Sequence, residues 1–542
     1  MGAPATSQVF VIGGRQSDRV SVSAETGGNK AANLSRLDGL GLRVPPAIVL
    51  GTAFCDEYFE RGGTFEAEFP TQLGGYVRRL EEATGQRFGG RDPLLVSVRS
   101  SPLTSMPGML DTILNVGLTE STARSLIRAT GNATLAWDAY RRLIRAFAET
   151  VHGVSRDGFD RLTAGYLSED KVDAVQDLDP LTLRSLARDS ADLLHTLTGV
   201  PLPADPLTQL ARAVETVCRS WHSPRAEEYR RLNGLETTSA TAVLIQAMVF
   251  GNAGGRSGSG VGFTRDPTNG RDQLYLDFLF NAQGEDVVSG RQTGTDAARL
   301  QKVLPGVQAD LERAKPRLES EFGDMQDFEF TVQDGRLYFL QTRAGKRTPW
   351  AALQIAVDLV SADIIDVATA LERLARIDLE AVQRICLQPG TGDIPIATGI
   401  PAGLGVAVGA IAFDLANAQQ MAPAQPVILV RPEISPDDIA GLAAAAGVLT
   451  AFGGRTSHAA VVARQLGKVC VVGCRALRID GGTHRCFFGD RAFHEGDMIT
   501  IDGESGHVYG GRVAVATEKP KDALATIARW RQQTQLTRFQ NL

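Results

Sequence analysis

The chain has 542 residues, 43% hydrophobic and 22% charged, the balance of a folded globular protein with room for about three domains. A net charge of -6 and a pI near 5.8 exclude a global field that would gather nucleic acid or an anionic membrane surface, so phosphate-bearing ligands must be met by local groups. No apolar run approaches the ~20 residues of a membrane span, no signal peptide is present, and Cys55, Cys218, Cys386, Cys470, Cys474 and Cys486 lack metal spacing; the expectation is a cytoplasmic protein with free thiols.

In chain order, apolar spacing predicts a helix over Asn29–Leu40, a strand over Leu42–Leu50 broken at Pro45-Pro46, and a helix over Thr71–Thr84. A buried strand over Leu94–Val98 ends in Arg99 and a loop rich in Ser, Pro and Gly. From about Ser121 to Asn233 the pattern is almost wholly helical, as in Leu135–Val151 and Pro206–Trp221, with no catalytic constellation. Strands return at Thr241–Phe250, Gly260–Thr264 and Leu274–Phe280, followed by an amphipathic helix over Asp296–Phe322. A hairpin follows, Asp327–Val332 with Arg336–Gln341, turning at Asp334-Gly335. A three-residue turn, Gln333-Asp334-Gly335, sets Asp327 opposite Gln341 and Phe328 opposite Leu340. Residues 351–382 read as a helical connector, Pro389–Gly405 as a boundary, 400–512 as a compact α/β unit rich in small residues, and the stretch beyond Arg512 as a helical tail.

The densest chemical signal is Gly453–Gly473, GGRTSHAAVVARQLGKVCVVG. Gly453-Gly454 allow close backbone approach, Thr456 or Ser457 can cap a helix beginning at His458, and Ala459, Ala460 and Val462 let that helix pack tightly. His458 then falls in the first helical turn, where the macrodipole favours a neutral, nucleophilic imidazole and free N–H groups stabilise a phosphoryl group on it. In the hairpin, Asp327 and Glu329 share one face while Phe328 and Phe330 take the other, and Arg343 joins the polar face. Paired carboxylates suit Mg²⁺ bridging nucleotide phosphates, and Gln341 and Arg343 can bind phosphoryl oxygens; by pattern alone, a solvated strand face with a salt bridge is the simpler account. Lys30, just before a helix, and Arg99 can meet phosphates with fixed charge, although a single Lys or Arg is more often a solvated surface group.

These strings resemble the pyruvate phosphate dikinase family of PEP-utilising enzymes, and the resemblance runs through almost the entire chain. It includes DPLLVSVRSS (Asp92–Ser101), SMPGMLDTILNVGL (Ser105–Leu118), RSWHSPRAEEYRRLN (Arg219–Asn233), NAQGEDVVSG (Asn281–Gly290) and DMQDFEFTVQDGRLYFLQTRAGKRT (Asp324–Thr348). It implies a multidomain α+β and α/β protein: an ATP-grasp nucleotide-binding domain with a helical insertion, then a swivelling phosphohistidine β/α domain. The implied boundaries are 1–120 for the ATP-grasp N-terminal lobe, 121–235 for the helical insertion, and 236–350 for the ATP-grasp C-terminal lobe. A helical linker takes 351–395, the phosphohistidine domain 396–512, and a C-terminal tail 513–542. The resemblance makes His458 the phosphoryl carrier with Thr456 beside it, and Arg99 and Arg343 catalytic partners. It assigns ATP binding to Lys30, Arg99, Gln341 and Arg343, a purine or ribose contact to Asp277, supporting phosphate or metal roles to Glu285 and Asp286, and Mg²⁺ to Asp327 and Glu329. The loop Ser101–Gly108 corresponds to a mobile loop over the phosphates.

The chain departs from the family pattern in several places. Gly28-Asn29-Lys30-Ala31 stands for the usual GGKG, Asp277 for a common glutamate, Ser101-Pro102 for a more flexible glycine-containing pair, and Arg455 for an apolar residue. The implied reaction has ATP and Mg²⁺ bound by residues 1–350 and His458 attacking the β-phosphate to release AMP. The γ-phosphate passes to orthophosphate or water. The family's pyruvate- and PEP-binding barrel is not within this sequence, so the expectation is transfer to pyruvate on a separate barrel protein. The alternatives are a kinase for another small molecule of a biosynthetic pathway, or a non-catalytic nucleotide-binding scaffold. A homodimer is left open.

Overall fold

The computed structural model describes residues 9–14, 21–65, 68–104, 106, 109–235, 240–288, 297–388, 390, 393–434, 439–455, 457–480 and 484–540. The chain divides into two units: Met1–Ala253 with Tyr338–Gln341, and Gly254–Leu337 with Thr342–Leu542.

The first unit is built on a five-stranded antiparallel sheet ordered Val9–Ile12, Ala47–Leu50, Ala242–Ala247, Val96–Ser101, Thr112–Val116. Ala47–Leu50 and Ala242–Ala247 are buried throughout, so they read as continuous apolar runs with little alternation. Helices Ala24–Gly39, Thr52–Glu60 and Phe69–Thr84 accompany it. The helices between Glu120 and Leu232 share one continuous core with the sheet, in which Leu80, Trp137, Leu183 and Leu210 are buried. Gln209, fully buried, ties this helical block to the strand end: it accepts from Gly117 N (3.0 Å) and donates to Leu118 O (2.8 Å) and Pro203 O (2.7 Å). Two boundaries differ from the sequence reading. The first strand of the Pro45-Pro46 region begins only at Ala47, since proline offers no donor to a ladder. The strand expected to end in Arg99 runs on to Ser101, so Arg99 lies within it, opposite Leu244 and Thr112.

A four-stranded antiparallel sheet, in the second unit apart from Tyr338–Gln341, is ordered Arg336–Ala344, Gln326–Gln333, Gly258–Phe263, Tyr275–Phe280. Gly258, Gly260 and Gly262 alternate along its third strand because rings lie over them. A Cβ at each would stand 2.2 Å from Phe278 Cζ, 2.4 Å from Phe330 Cζ and 2.4 Å from Phe328 Cζ respectively. The buried Arg265 joins this sheet to its covering helices, donating to Glu319 from Pro305–Phe322 (2.9 and 3.0 Å) and to Asp358 from Pro349–Ser361 (2.9 Å). A buried charge is tolerated only when paired and fully hydrogen-bonded, which this arrangement supplies.

The connector comprises Pro349–Ser361 and Val367–Leu374, and the C-terminal helix Lys521–Gln540 packs on it through Leu353, Ala356, Leu374 and Ile527. Arg384–Leu387 pairs antiparallel with Val515–Glu518. The stretch beyond Arg512 is therefore strand and then helix, not helix alone. Val515–Glu518 is exposed at every position and leaves no alternation in the sequence to reveal it.

Between those paired segments lies an eight-stranded sheet. Val406–Ala412, Val427–Arg431, Gly447–Thr450 and Val469–Val472 run parallel at its centre, with Met498–Asp502 and His507–Gly510 antiparallel on one side. Helices Leu415–Met421, Ile439–Ala444 and His458–Gln465 make the crossovers. A second, three-stranded sheet holds Leu477–Asp480, Arg485–Phe488 and Arg491–His494. The architecture is the multidomain mixture of α+β and α/β that the sequence implies. Among the described residues no helix is long and apolar enough to cross a membrane.

Candidate functional site

In the first unit, Lys30 sits just past a break in the helix Ala24–Gly39, where Gly28 adopts φ 72° and ψ 167°. Only glycine fits there: a Cβ would fall 1.6 Å from Ser101 O. Asn29 N donates to Pro102 O (2.9 Å), Ala31 N to Ser101 Oγ (3.1 Å), and Ser101 N to Thr241 Oγ1 (3.0 Å). The Ser101-Pro102 departure thus has a local consequence, since the strand end clasps the start of the helix and sets Lys30 and Arg99 on neighbouring elements. Both side chains are half-buried. In the expected phosphate loop Ser101–Gly108, residues 105, 107 and 108 lie outside the described residues.

In the second unit, strand register decides which side chains share a face. Asp277 and Glu329 are both opposite Val261, and Tyr275 and Asp327 are both opposite Phe263. Cα partners project to the same side of a sheet, so Tyr275, Asp277, Asp327 and Glu329 line one face while Phe278, Phe328 and Phe330 form the apolar other. Asp327 is 6% exposed, and Arg343 Nε donates to its Oδ2 at 2.7 Å. Burial pushes the Asp327 carboxyl above its ordinary range, Arg343 opposes that shift, and the neighbouring Glu329 adds to it. Burial also lowers the Lys346 ammonium, with Arg343 acting in the same direction. A buried carboxylate whose charged form is disfavoured by its surroundings is stabilised by a nearby cation.

The hairpin turn differs from expectation. Gln326–Gln333 and Arg336–Ala344 are joined by two residues, Asp334 (φ 51°) and Gly335 (φ 77°), both left-handed as in a type I′ turn. The three-residue turn inferred to keep the polar face intact is not used, and Arg343 keeps that face polar through its ion pair with Asp327. Gln341 is half-buried on the same strand. Glu285 and Asp286 stand on a separate short helix, Gly284–Val288, where Asp286 Oδ2 accepts from Gln283 N (3.0 Å).

The phosphohistidine-like motif follows the strand Gly447–Thr450. Helix His458–Gln465 begins at His458, and Ser457 supplies a cap, accepting from Ala460 N at 3.5 Å. Gly453 takes φ 108°, and a Cβ there would press to 3.0 Å from Ser457 Oγ. Helix N-termini at the carboxyl ends of parallel strands are where open α/β sheets receive ligands. Thr456 and the side chain of His458 lie outside the described residues.

How this motif meets the carboxylate face is visible only in the structure. The Arg455 guanidinium lies over the Tyr275 ring, 4.5 Å from its centroid, and Arg464 lies 5.5 Å from the Phe263 centroid. Arg464 Nη1 also donates to Arg455 O (2.9 Å), and Tyr275 OH donates to Pro401 O (3.0 Å). Burial raises the Tyr275 hydroxyl far above its ordinary value, although both arginines oppose the shift. The loop that precedes His458 is therefore docked on the row of residues that contains Asp327. The available signal was Tyr275, an aromatic two residues from Asp277 and so on the same strand face.

Two family models match the chain: "Pyruvate phosphate dikinase, AMP/ATP-binding domain" over residues 64–307, and "PEP-utilising enzyme, mobile domain" over residues 423–506. They define a protein that joins a nucleotide-binding module to a mobile one. The pyruvate, phosphate dikinase of Rhizobium meliloti is 38% identical over 536 residues, 96% of this chain and 60% of the relative. That of Clostridium symbiosum is 40% identical over 509 residues, 93% of this chain and 58% of the relative. The chloroplastic enzyme of Flaveria pringlei is 39% identical over 531 residues, 97% of this chain and 55% of the relative. The chain spans 55–60% of the length of these relatives. Over that span it is similar to pyruvate, phosphate dikinases and carries a match to their AMP/ATP-binding domain and to the PEP-utilising mobile domain.

Proposed function

We propose that this chain catalyses ATP-dependent phosphorylation of its own His458, taking the β-phosphoryl group and releasing AMP, with the γ-phosphate passed to orthophosphate or water. Lys30, Arg99 and Arg343 neutralise phosphate charge, Gln341 binds phosphoryl oxygens, Asp277 contacts purine or ribose, and Glu285 and Asp286 support the phosphates or metal. Thr456 assists at His458. The observation that carries this reading is the contact of Arg455 with Tyr275, whose strand neighbours are Phe263 and Asp327. It brings the segment leading into His458 to the acidic face, which is the geometry that transfer from a bound nucleotide requires.

Asp327 and Glu329 fit a hard divalent cation. Both donors are carboxylate oxygens, which Mg²⁺ prefers, and a cation would offset the burial that disfavours the charged form of Asp327. Once bound there, Mg²⁺ would offset phosphate charge as the bridging bond breaks. The chain's own residues do the rest. Arg343 holds Asp327 in place, and the cap at Ser457 leaves the first-turn N–H groups of the His458 helix to meet the arriving phosphoryl oxygens. The divided transfer keeps the N–P bond as a relay until an acceptor is met. The proposed acceptor is pyruvate, on a barrel outside these 542 residues and in our reading on a separate protein.

The test is incubation with ATP labelled at the β-phosphate, with and without orthophosphate. Acid-labile, base-stable label on the wild type and none on His458→Ala is the expected result, with pyrophosphate or orthophosphate identifying the cosubstrate. Equal labelling of both proteins would sink the reading. Chasing the phosphoenzyme with pyruvate, with and without an added PEP-binding barrel protein, tests the second half separately.

A further inference from the structure

We propose that Asp414, His484 and Glu495 bind one divalent transition-metal ion of the Zn²⁺ class, at a site separate from the nucleotide and independent of the phosphotransfer reading. The three come from different segments. Asp414 caps the helix Leu415–Met421, His484 immediately precedes the strand Arg485–Phe488, and Glu495 lies in the turn between Arg491–His494 and Met498–Asp502. One ligand atom from each falls within 4.8 Å of the other two.

The spacing favours an ion over a simple salt bridge. His484 Nδ1 stands 3.4 Å from Glu495 Oε2. That is long for an N–H···O hydrogen bond. Two ligands each about 2.0–2.1 Å from one tetrahedral ion, however, sit about 3.4 Å from each other. A histidine–glutamate pair alone would also gain nothing from Asp414, which adds a second negative charge beside Glu495. Among the described residues no lysine or arginine pairs with either carboxylate. Arg431 Nη1 donates to Phe413 O (3.1 Å). A cation shared by all three groups resolves that repulsion.

The carboxylates are also held from behind. Asp414 Oδ1 accepts from Asn417 N (2.8 Å), and Glu495 Oε1 accepts from Asn417 Nδ2 (2.9 Å) and Phe413 N (3.4 Å). Hydrogen bonds of this kind orient metal ligands. The His484 ring stands edge-on to Phe413, with centroids 6.5 Å apart, and its backbone sits in the left-handed region at φ 49°. The His484 side chain is 54% exposed and that of Glu495 26%, which leaves an entry path and room for water as a further ligand. One imidazole with two carboxylates suits Zn²⁺ or Mn²⁺, whereas Mg²⁺ and Ca²⁺ prefer oxygen donors throughout. The bound ion would clamp the three-stranded sheet to the helix that follows Phe413.

The experiment uses the whole metal-free chain, titrated with Zn²⁺ by calorimetry, and with Co²⁺ as a spectroscopic probe. The wild type should bind one Zn²⁺, His484→Ala should lose saturable binding, and Glu495→Gln should bind at least ten-fold more weakly. The glutamine can still accept from Asn417, and the His484 ring is exposed, so thermal unfolding without metal should be unchanged in both variants. Bound Co²⁺ should give visible bands without thiolate charge transfer. The proposal is overturned if the wild type shows no saturable site, if both variants bind as the wild type does, or if the Co²⁺ spectrum is that of thiolate ligation.

Discussion

The sheet that carries Asp327 and the sheet that leads to His458 place chemistry by opposite rules. In the first, strands are antiparallel and one face is sealed by Phe278, Phe328 and Phe330 over Gly258, Gly260 and Gly262, so reactive groups are assigned by parity along each strand. In the second, the central strands are parallel and buried; Val427–Arg431 and Gly447–Thr450 carry almost nothing but apolar side chains. Its chemistry is pushed to strand ends, into the loop before His458. A face-built site should be sensitive to any change on its hidden side, whereas an end-built site should tolerate changes to the reactive residue with little loss of stability.

The sharpest way to break this contrast is Gly262→Val. The new side chain would begin 2.4 Å from Phe328 Cζ and 2.7 Å from Leu276 Cδ2 in a closed core, and overpacking of that kind costs about 3 kcal/mol or more. Urea unfolding should show a large loss of stability and, with it, of Mg²⁺-dependent nucleotide binding. His458→Ala should move the midpoint by no more than about 0.5 kcal/mol while abolishing the phosphoenzyme. Similar stability losses in the two variants would refute the contrast.

Next in size is Asp327→Asn. It keeps the shape and a hydrogen-bond acceptor for Arg343 but removes the charge, so AMP formation should fall roughly 100-fold with stability altered by no more than about 1 kcal/mol. Its acid dependence sharpens the same point. Because the folded-state carboxyl is raised, its contribution to stability is full below the unfolded value and is lost as pH rises through the folded value. A cation must displace that proton. Mg²⁺-dependent nucleotide binding should therefore strengthen as pH rises through a range above that of an ordinary aspartate, and Asp327→Asn should flatten the profile. A profile that titrates where ordinary carboxylates do, or that survives in the variant, would contradict the assignment.

How far each rule could be read in advance follows from the same physics. The alternation Asp327-Phe328-Glu329-Phe330 declares two faces, because parity is local to four residues. The turn chemistry Asp334-Gly335 was visible too, but the two-residue register was missed because the polar face was assumed to be kept by strand pairing, when an ion pair keeps it. The motif at His458 was legible as a string, and its cap fell to Ser457, one of two candidates. Val515–Glu518 was invisible because both its faces are exposed and its partner, Arg384–Leu387, lies far away in sequence. The docking of Arg455 on Tyr275 was equally hidden, since neither residue carries any mark of the other.

That docking gives the smallest expected effect and the finest test of the comparison, because it is where the end-built site touches the face-built one. Arg455→Met keeps a long unbranched side chain while removing the cation over the Tyr275 ring. Such contacts contribute about 0.5–2 kcal/mol, which sets the expected slowing of His458 phosphorylation at roughly 2- to 30-fold. Nucleotide affinity should be unchanged, since Arg455 serves the approach of the carrier and not the holding of ATP. Tyr275→Leu should slow the reaction by a similar factor. The double variant should be no slower than Tyr275→Leu alone, which removes the same cation–ring contact together with the Pro401 hydrogen bond. Additive losses would mean that Arg455 acts elsewhere, and an unchanged rate in single-turnover labelling would mean that the contact plays no part in bringing the two sites together.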